Sequence, residues 1–337
     1  MLGQGEGVRI IFAGTPQVAV PSLEALVAAD DIDVVAVLTR PDAPSGRGRK
    51  LKPSPVKTRA LELGLPVYED NPNSEQWLET LRTLHVDAAA VVAFGNILKR
   101  PVLEALPQGW FNLHFSLLPT LRGAAPAQRA IWQGMESTGA TVFRIDVGMD
   151  DGPIVAQEPT AIADEENAGE LLERMAVEQA PLLVHALQQV AHGTAVLHAQ
   201  SEEGVSYAAK ITHDDAHIAV SAPCEQIVNQ IRACAPAPGA WVSLTDATQP
   251  DNGILLRVLR AQCVPSEDAQ TVLERGFAGV NLEDVALGRI AADKRHVWLR
   301  CGQGLIELLE VQAQGKKVMR AADWARGAHL SDAVLAK

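Results

Sequence analysis

An α/β fold with a mostly parallel sheet, followed by a small β-rich barrel or sandwich, is what this chain predicts. Three observations predict it. The first half alternates short apolar runs with helix-like segments, as βαβ units do. From about residue 218 the texture changes to brief β-rich pieces punctuated by Gly, Asp and Asn. The length, 337 residues, exceeds one typical core and calls for two domains. The expected division is a Rossmann-like domain over 1–191, a polar linker over 192–210 and a β-rich domain over 211–330.

Taken in order, residues 9–13 (RIIFA) form a first strand, ended by Gly14. Thr15 is placed to cap, and Pro16 to start, a helix running to about Ala29. Residues 33–39 (DVVAVLT) and 87–93 (DAAAVVA) give a second and a third, central strand. Helical patterns near 56–64, 74–84 and 98–106 fall between and after them, which puts helices on both faces of a parallel sheet. Residues 175–191 read as one long helix closing the domain. Beyond the linker, AWVSL, GILLRVLRA, VWLRC and LIELLEVQA read as strands, and 222–233 as the one clear helix.

Composition bounds the function. The chain is 47% hydrophobic, 4% aromatic and carries a net charge of −12. That excludes wholesale nucleic-acid or membrane binding while leaving room for a local basic patch. Apolar runs such as VVAVL fall far short of the ~20 residues needed to span a bilayer, and the N-terminus has no signal-peptide pattern. Cys224, Cys234, Cys263 and Cys301 form no CxxC pair and read as buried free thiols of a cytoplasmic protein.

The stretch richest in chemistry is 109–119, GWFNLHFSLLP. Alternation puts Phe111, Leu113 and Phe115 on one face of a strand and Asn112 and His114 together on the other. An amide can donate to a developing oxyanion and an imidazole can move a proton, so the pair suits acyl transfer. In a parallel α/β sheet ligands bind at the carboxyl ends of strands, where this stretch falls. Leu118–Pro119 is a candidate cis bond at a tight turn, and Gly123 and Pro126 continue the loop to a helix near 127–133. FRIDVGMDDGPIV then breaks a strand with an acidic glycine loop holding Asp146, Asp150 and Asp151. A carboxylate there is expected to orient the His114 ring and raise its pKa.

A second stretch, 40–59, holds Arg40, Arg47, Arg49, Lys50, Lys52, Lys57 and Arg59 against the single acid Asp42, with four prolines. A basic loop of this kind can neutralise phosphates and bring an arginine to a base. In the C-terminal third, residues 289–326 carry eight basic residues against four acidic, a second candidate support for RNA. His213 and His217 have i, i+4 spacing but no evident third ligand, so no metal is expected. No GxxxxGK[ST] and no strand-to-helix GxGxxG is present, which removes the usual signatures of ATP and NAD.

The segments FAGTP (12–16), RPDAPSGRGRKLKPSPVK (40–57), AFGNIL (93–98), NLHFSLLP (112–119), LRGAAPAQRAIW (121–132), DVGMDDG (146–152) and QAQGKKVM (312–319) closely resemble the methionyl-tRNA formyltransferases. These belong among the 10-formyltetrahydrofolate-dependent formyltransferases, which share the NxH–SLLP–D set. The resemblance implies a Rossmann-like catalytic domain followed by an OB-like barrel. It implies formyl transfer from 10-formyltetrahydrofolate, without a metal, to the α-amino group of methionyl initiator tRNA. It also implies a cytoplasmic monomer with no membrane association. Asn112, His114 and Asp150 match the catalytic trio, and Ser116, Leu117, Leu118 and Pro119 the segment lining the folate site. The loop around Val147 to Asp150 would complete the pterin pocket. Arg47, Arg49 and Lys50 match the loop used on the tRNA acceptor stem, with Arg47 the most discriminating. Two departures stand out: Phe115 where the family has a small residue, and APAPGAW (235–241) as a loose Pro/Trp segment. Two other readings stay open on the residues alone. One is a formyltransferase or formyl-folate hydrolase acting on a small molecule; the other is a non-catalytic tRNA-binding protein.

Overall fold

The computed structural model describes residues 7–45, 50–246, 249–328, 330 and 334–337. Contacts divide the chain into two compact units. The first comprises Met1–Pro126, Ser137–Ala161 and Leu172–Ala209; the second comprises Ala127–Glu136, Ile162–Leu171 and Lys210–Lys337.

The first half of the chain runs β1 (Val8–Gly14), α1 (Val20–Val27), β2 (Ile32–Leu38), β3 (Ala43–Ser45), β4 (Lys50–Lys52), α2 (Pro55–Glu62), β5 (Val67–Tyr68), α3 (Glu75–Leu84), β6 (Ala88–Val92), α4 (Arg100–Leu103) and β7 (Gly109–His114). It continues α5 (Pro126–Trp132), β8 (Ser137–Arg144), β9 (Ile154–Ala161), α6 (Ala168–Glu178) and α7 (Ala180–Ala191). One seven-stranded sheet has the order β5-β2-β1-β6-β7-β8-β9. Its first five strands are parallel, whereas β8 is antiparallel to both β7 and β9. On one face Ile11, Ala13, Ala36, Leu38, Ala89 and Val91 join Trp77 and Leu81 of α3 and Val102 of α4 in a single core. Burying each large apolar side chain of this kind contributes about 1.5–3 kcal/mol. On α1 and α7, which pack together, Leu23, Leu26, Leu183 and Leu187 are likewise buried.

Helix ends differ from the sequence expectation in three places. Thr15 does not cap the first helix: its hydroxyl donates to the Phe94 carbonyl at 3.0 Å. A 3-10 turn at Gln17–Ala19 then precedes α1. The long helix expected over 175–191 is two helices, α6 and α7, with Pro181 admitted near the start of the second, where its missing N–H costs nothing. α4 is shorter than the 98–106 pattern.

The second unit contains α8 (Cys224–Cys234), β10 (Ala240–Asp246), β11 (Gln249–Cys263), α9 (Ala269–Gly276), β12 (Ile290–Ala292), β13 (Val297–Arg300), β14 (Leu305–Ala313), β15 (Met319–Arg320), α10 (Ala321–Ala328) and β16 (Val334–Ala336). Its sheet order is β12-β13-β14-β11-β10-β16, with β15 beside β14. The pairings are antiparallel, and register shifts near Arg260 act as bulges that bend the long β11. The Ala336 N–H donates to the Gly288 carbonyl at 2.7 Å, and Arg289 bridges Leu335, so the sheet nearly closes into a barrel. All four expected strands are present. Three helices accompany them among the described residues, not one, because α9 and α10 are short and flanked by polar residues that mask their apolar stripes. Of the cysteines, Cys234 and Cys301 are buried, while Cys224 and Cys263 are half-buried.

Candidate active site

β7 lies between β6, which it parallels, and β8, which it opposes. Val91 pairs with Asn112, Asn112 with Phe143, and His114 with Thr141, so both functional side chains stand on a strand fixed from two sides. The expected single apolar face is replaced by burial on both. Trp110, Phe111, Leu113, His114 and Phe115 are all buried, as befits an interior strand covered by helices. Asn112 is half-buried, and among the described residues no hydrogen bond engages its side-chain amide. Its N–H groups are therefore free to meet a ligand.

His114 is 5% exposed. Its Nε2 lies 3.0 Å from the Leu121 carbonyl. A carbonyl can only accept, so Nε2 carries the proton and Nδ1 holds the lone pair. Nδ1 faces Asp150 Oδ2 at 3.8 Å. That separation suits an ion pair but is too long for an orienting hydrogen bond. The Leu121 carbonyl, not Asp150, fixes the ring. The expected rise in the His114 pKa is also reversed. Burial lowers it below 6.5, outweighing the Asp150 charge and the Leu121 bond, which both raise it. The resting ring is neutral, with a carboxylate beside the nitrogen that would take a proton.

Asp150 sits in the loop between β8 and β9 with φ 49°. Its Oδ2 accepts from the Gly123 N–H at 2.7 Å. Gly123 itself has φ +120°, and a Cβ there would lie 2.9 Å from the Ala208 carbonyl oxygen, so the donor position demands glycine. The neighbouring acids are used otherwise. Asp146 accepts from the Val147 N–H at 2.7 Å, and the exposed Asp151 has its carboxylate against Gly148. Of the three acids, Asp150 is the one that meets His114.

The SLLP turn is tied down by side chains from β8 and β9. Thr141 Oγ1 donates to the Ser116 carbonyl at 2.7 Å and accepts from the Leu118 N–H at 3.0 Å. Gln157 Nε2 donates to the Leu118 carbonyl at 2.8 Å. The Ser116 hydroxyl is spent on the Thr120 carbonyl at 2.6 Å. Leu118–Pro119 is cis, as expected. Ser116 and Leu118 are buried, which leaves Leu117 and Pro119 as the half-exposed members of the predicted folate segment. Val147 and Met149, on the acidic loop, and Ile97, after β6, expose apolar side chains. The Asn73 side chain fastens the Ile97 loop by donating to the Ile97 carbonyl and accepting from the Lys99 N–H.

The basic stretch at 40–59 is not one loop. β3 and β4 form a two-stranded hairpin, and α2 begins at Pro55, where the Ser54 hydroxyl accepts from the Lys57 N–H. Lys57 and Arg59 thus belong to a helix and are already paired. Lys57 holds Asp42 at 2.7 Å and Glu69 at 2.9 Å, and these bonds raise its pKa. Arg59 holds Glu24 and Glu62. Arg40 and Lys52 are exposed. Arg47 and Arg49 lie outside the described residues, and of Lys50 only the backbone, opening β4, is described. In the second unit His213 and His217 both stack on Trp241, at 4.8 and 4.3 Å between ring centroids, rather than converging on a common centre. Of the basic residues at 289–326, Lys294, Arg295, Lys316, Lys317 and Arg320 are exposed, whereas Arg300 is buried and bonded to the Leu282 and Gly304 carbonyls.

The formyl transferase family matches residues 8–187, and the formyl transferase C-terminal domain matches residues 210–329. The methionyl-tRNA formyltransferase of Bifidobacterium longum is 51% identical over 333 residues, covering 97% of this chain and 98% of that protein. That of Streptomyces coelicolor is 42% identical over 326 residues, covering 96% and 98%. The chain belongs to the methionyl-tRNA formyltransferase family. Among solved structures, the N-formyltransferase of Helicobacter canadensis shares the fold, with a TM-score of 0.62 at 20% identity over 89% of this chain and 98% of that one.

Several site residues escaped the sequence reading: Leu121 through its carbonyl, Thr141 and Gln157 as staples of the turn, and Gln200. A backbone carbonyl leaves no trace in side-chain patterns. The other three act across long separations that short-range periodicity does not register.

Proposed function

We propose that the chain transfers the formyl group of 10-formyltetrahydrofolate to the α-amino group of methionine on initiator tRNA. The observation that carries this reading is the meeting of His114 with Asp150 beside the unengaged amide of Asn112, in a chain similar along its length to methionyl-tRNA formyltransferases. The residues present fit the folate: a free amide donor, with apolar side chains at Ile97, Val147 and Met149 on the neighbouring loops. Leu117, Pro119 and the backbone of Ser116 and Leu118 would line its pocket.

10-Formyltetrahydrofolate supplies the formyl group when bound. The Asn112 amide donates to the oxygen that gains negative charge as the amine adds. His114, kept neutral by burial, takes the amine proton at Nδ1, because Nε2–H is committed to Leu121. Asp150, 3.8 Å away, stabilises the imidazolium that results, and the ring then passes the proton to the departing nitrogen.

Arg47, Arg49 and Lys50 contact the acceptor stem, and the barrel domain at 211–330 supports the tRNA with its exposed lysines and arginines. The catalytic domain is 1–191, joined by 192–210, and the enzyme acts as a cytoplasmic monomer. No helix among the described residues is long and apolar enough to cross a membrane. The test is transfer of radiolabelled formyl to initiator against elongator methionyl-tRNA. Preferential labelling of the initiator is expected. Turnover confined to a small amine, or tRNA retention without transfer, would overturn the reading.

A further inference from the structure

After α7 the polar stretch returns over the turn that follows β7 and the loop that carries Asp150. Ile154 and His198 exchange both backbone hydrogen bonds, at 2.8 and 2.9 Å. Further on, Ser206 Oγ accepts from the Leu121 N–H at 2.9 Å, and the Ala208 N–H donates to the Arg122 carbonyl at 2.7 Å. Between these two anchors stands Gln200. Its Nε2 donates to the carbonyls of Asp150, at 2.7 Å, and Gly152, at 2.9 Å. Its Oε1 accepts from Nε and Nη2 of Arg122, at 3.0 and 2.7 Å.

The orientation of that amide is not arbitrary. A guanidinium can only donate, so it selects the oxygen end of Gln200 and leaves the NH2 end for the two carbonyls. Asp150 has need of the hold, since an aspartate at φ 49° occupies the sparsely populated left-handed region. Its carboxylate is pinned by the Gly123 N–H and its carbonyl by Gln200. Arg122 and Gly123 are neighbours in sequence, so one short segment fixes Asp150 at both ends. Among the described residues, the charged side chain within ion-pair distance of the His114 ring is Asp150; Phe143 meets the ring edge-on, and Leu121 takes its other nitrogen.

We propose that Gln200, held by Arg122, is a positioning residue for Asp150, keeping its carboxylate where it sets the proton affinity of His114 Nδ1. The proposal rests on the formyl-transfer reading and deepens it. Without the amide donors the loop relaxes, Asp150 draws away, and the ring loses the charge that favours its protonated form.

The experiment uses the full-length chain as wild type, Asp150→Asn, Gln200→Ala, Gln200→Glu and the double variant Gln200→Ala/Asp150→Asn. Single-turnover formyl transfer is measured alongside NMR titration of the His114 ring. For Gln200→Ala the transfer rate is expected to fall about a hundredfold, the scale of a displaced catalytic group, with KM for tRNA and folate unchanged. The His114 pKa should move down in the same direction as in Asp150→Asn, and the double variant should be no slower than Asp150→Asn. Gln200→Glu keeps the partner of Arg122 and the side-chain volume but cannot donate, so it should behave as Gln200→Ala and decides the matter if the alanine variant fails to fold. A wild-type rate, an unmoved His114 titration, or a loss fully additive with Asp150→Asn would overturn the proposal. If Asp150→Asn itself transfers at the wild-type rate, the active-site reading fails first.

Discussion

Residues 109–119 and residues 40–59 both carry candidate functional side chains, yet the fold treats them in opposite ways. The first is a strand in the middle of a seven-stranded sheet, laddered on both sides, with its following turn stapled by Thr141 and Gln157. The second is a separate two-stranded hairpin followed by a helix. In the strand, polar groups are committed to fixed partners, except the Asn112 amide. Arg40, before β3, and Lys52, ending β4, stand in solvent. Transition-state chemistry rewards groups fixed before the substrate arrives. A polyanion is gripped through charges whose effect tolerates small displacements. On the proposed reading, the contrast teaches that chemistry and recognition draw on different kinds of order.

The strongest way to break that contrast is to truncate the strand residues. Asn112→Ala and His114→Ala should each reduce single-turnover formylation by about 10²–10³, while filter-binding affinity for tRNA stays near wild type. A variant that transfers normally, or one that loses tRNA affinity in proportion to its rate, would erase the distinction. For the basic stretch at 40–59 the pattern should invert. Arg47→Ala should lower kcat/KM for initiator tRNA by roughly tenfold, the scale of a 1–3 kcal/mol nucleic-acid contact, with the folate KM unchanged. Unaltered kinetics across a salt series would remove Arg47 from the interface.

The smallest effect concerns stability and belongs to the strand alone. The folded chain lowers the pKa of His114, so the unfolded chain binds the proton more readily. The contribution of the neutral ring is fully present above pH 6.5 and is lost as pH falls towards the lowered folded value. Urea unfolding of wild type and His114→Gln at pH 7.5, 6.5 and 5.5 should therefore show a loss of stability on acidification that is shallower in the variant. Parallel slopes would mean that the imidazole is not desolvated as the fold implies.

Much of this was legible beforehand, and the failures have physical causes. Alternation placed Asn112 and His114 together, and the SLLP turn announced itself through its proline. Asp150 stood among three acids, and spacing alone did not separate them; the glycine donor at 123 and the approach to Nδ1 did. The His114 shift runs opposite to the expected rise because local alternation reports a neighbouring charge but not burial from both faces of a sheet. The split of the basic stretch was present in the sequence as Ser54 before Pro55, a helix-start pair that its charges overshadowed. In the barrel, strands rich in branched residues were plain, whereas the short helices α9 and α10 were not.

One consequence of the stretch after α7 concerns chain length. Connectors usually tolerate added or deleted residues, because closing a longer loop costs little more. Here His198 is bonded to Ile154 at one end and Tyr207 is bridged to Arg122 at the other, with Gln200 delivered to Asp150 between them. An insertion on either side of Gln200 would leave both ends seated and carry the amide out of reach. The spacing in this segment is therefore a ruler, and its gauge is as much a part of the enzyme as any side chain it carries.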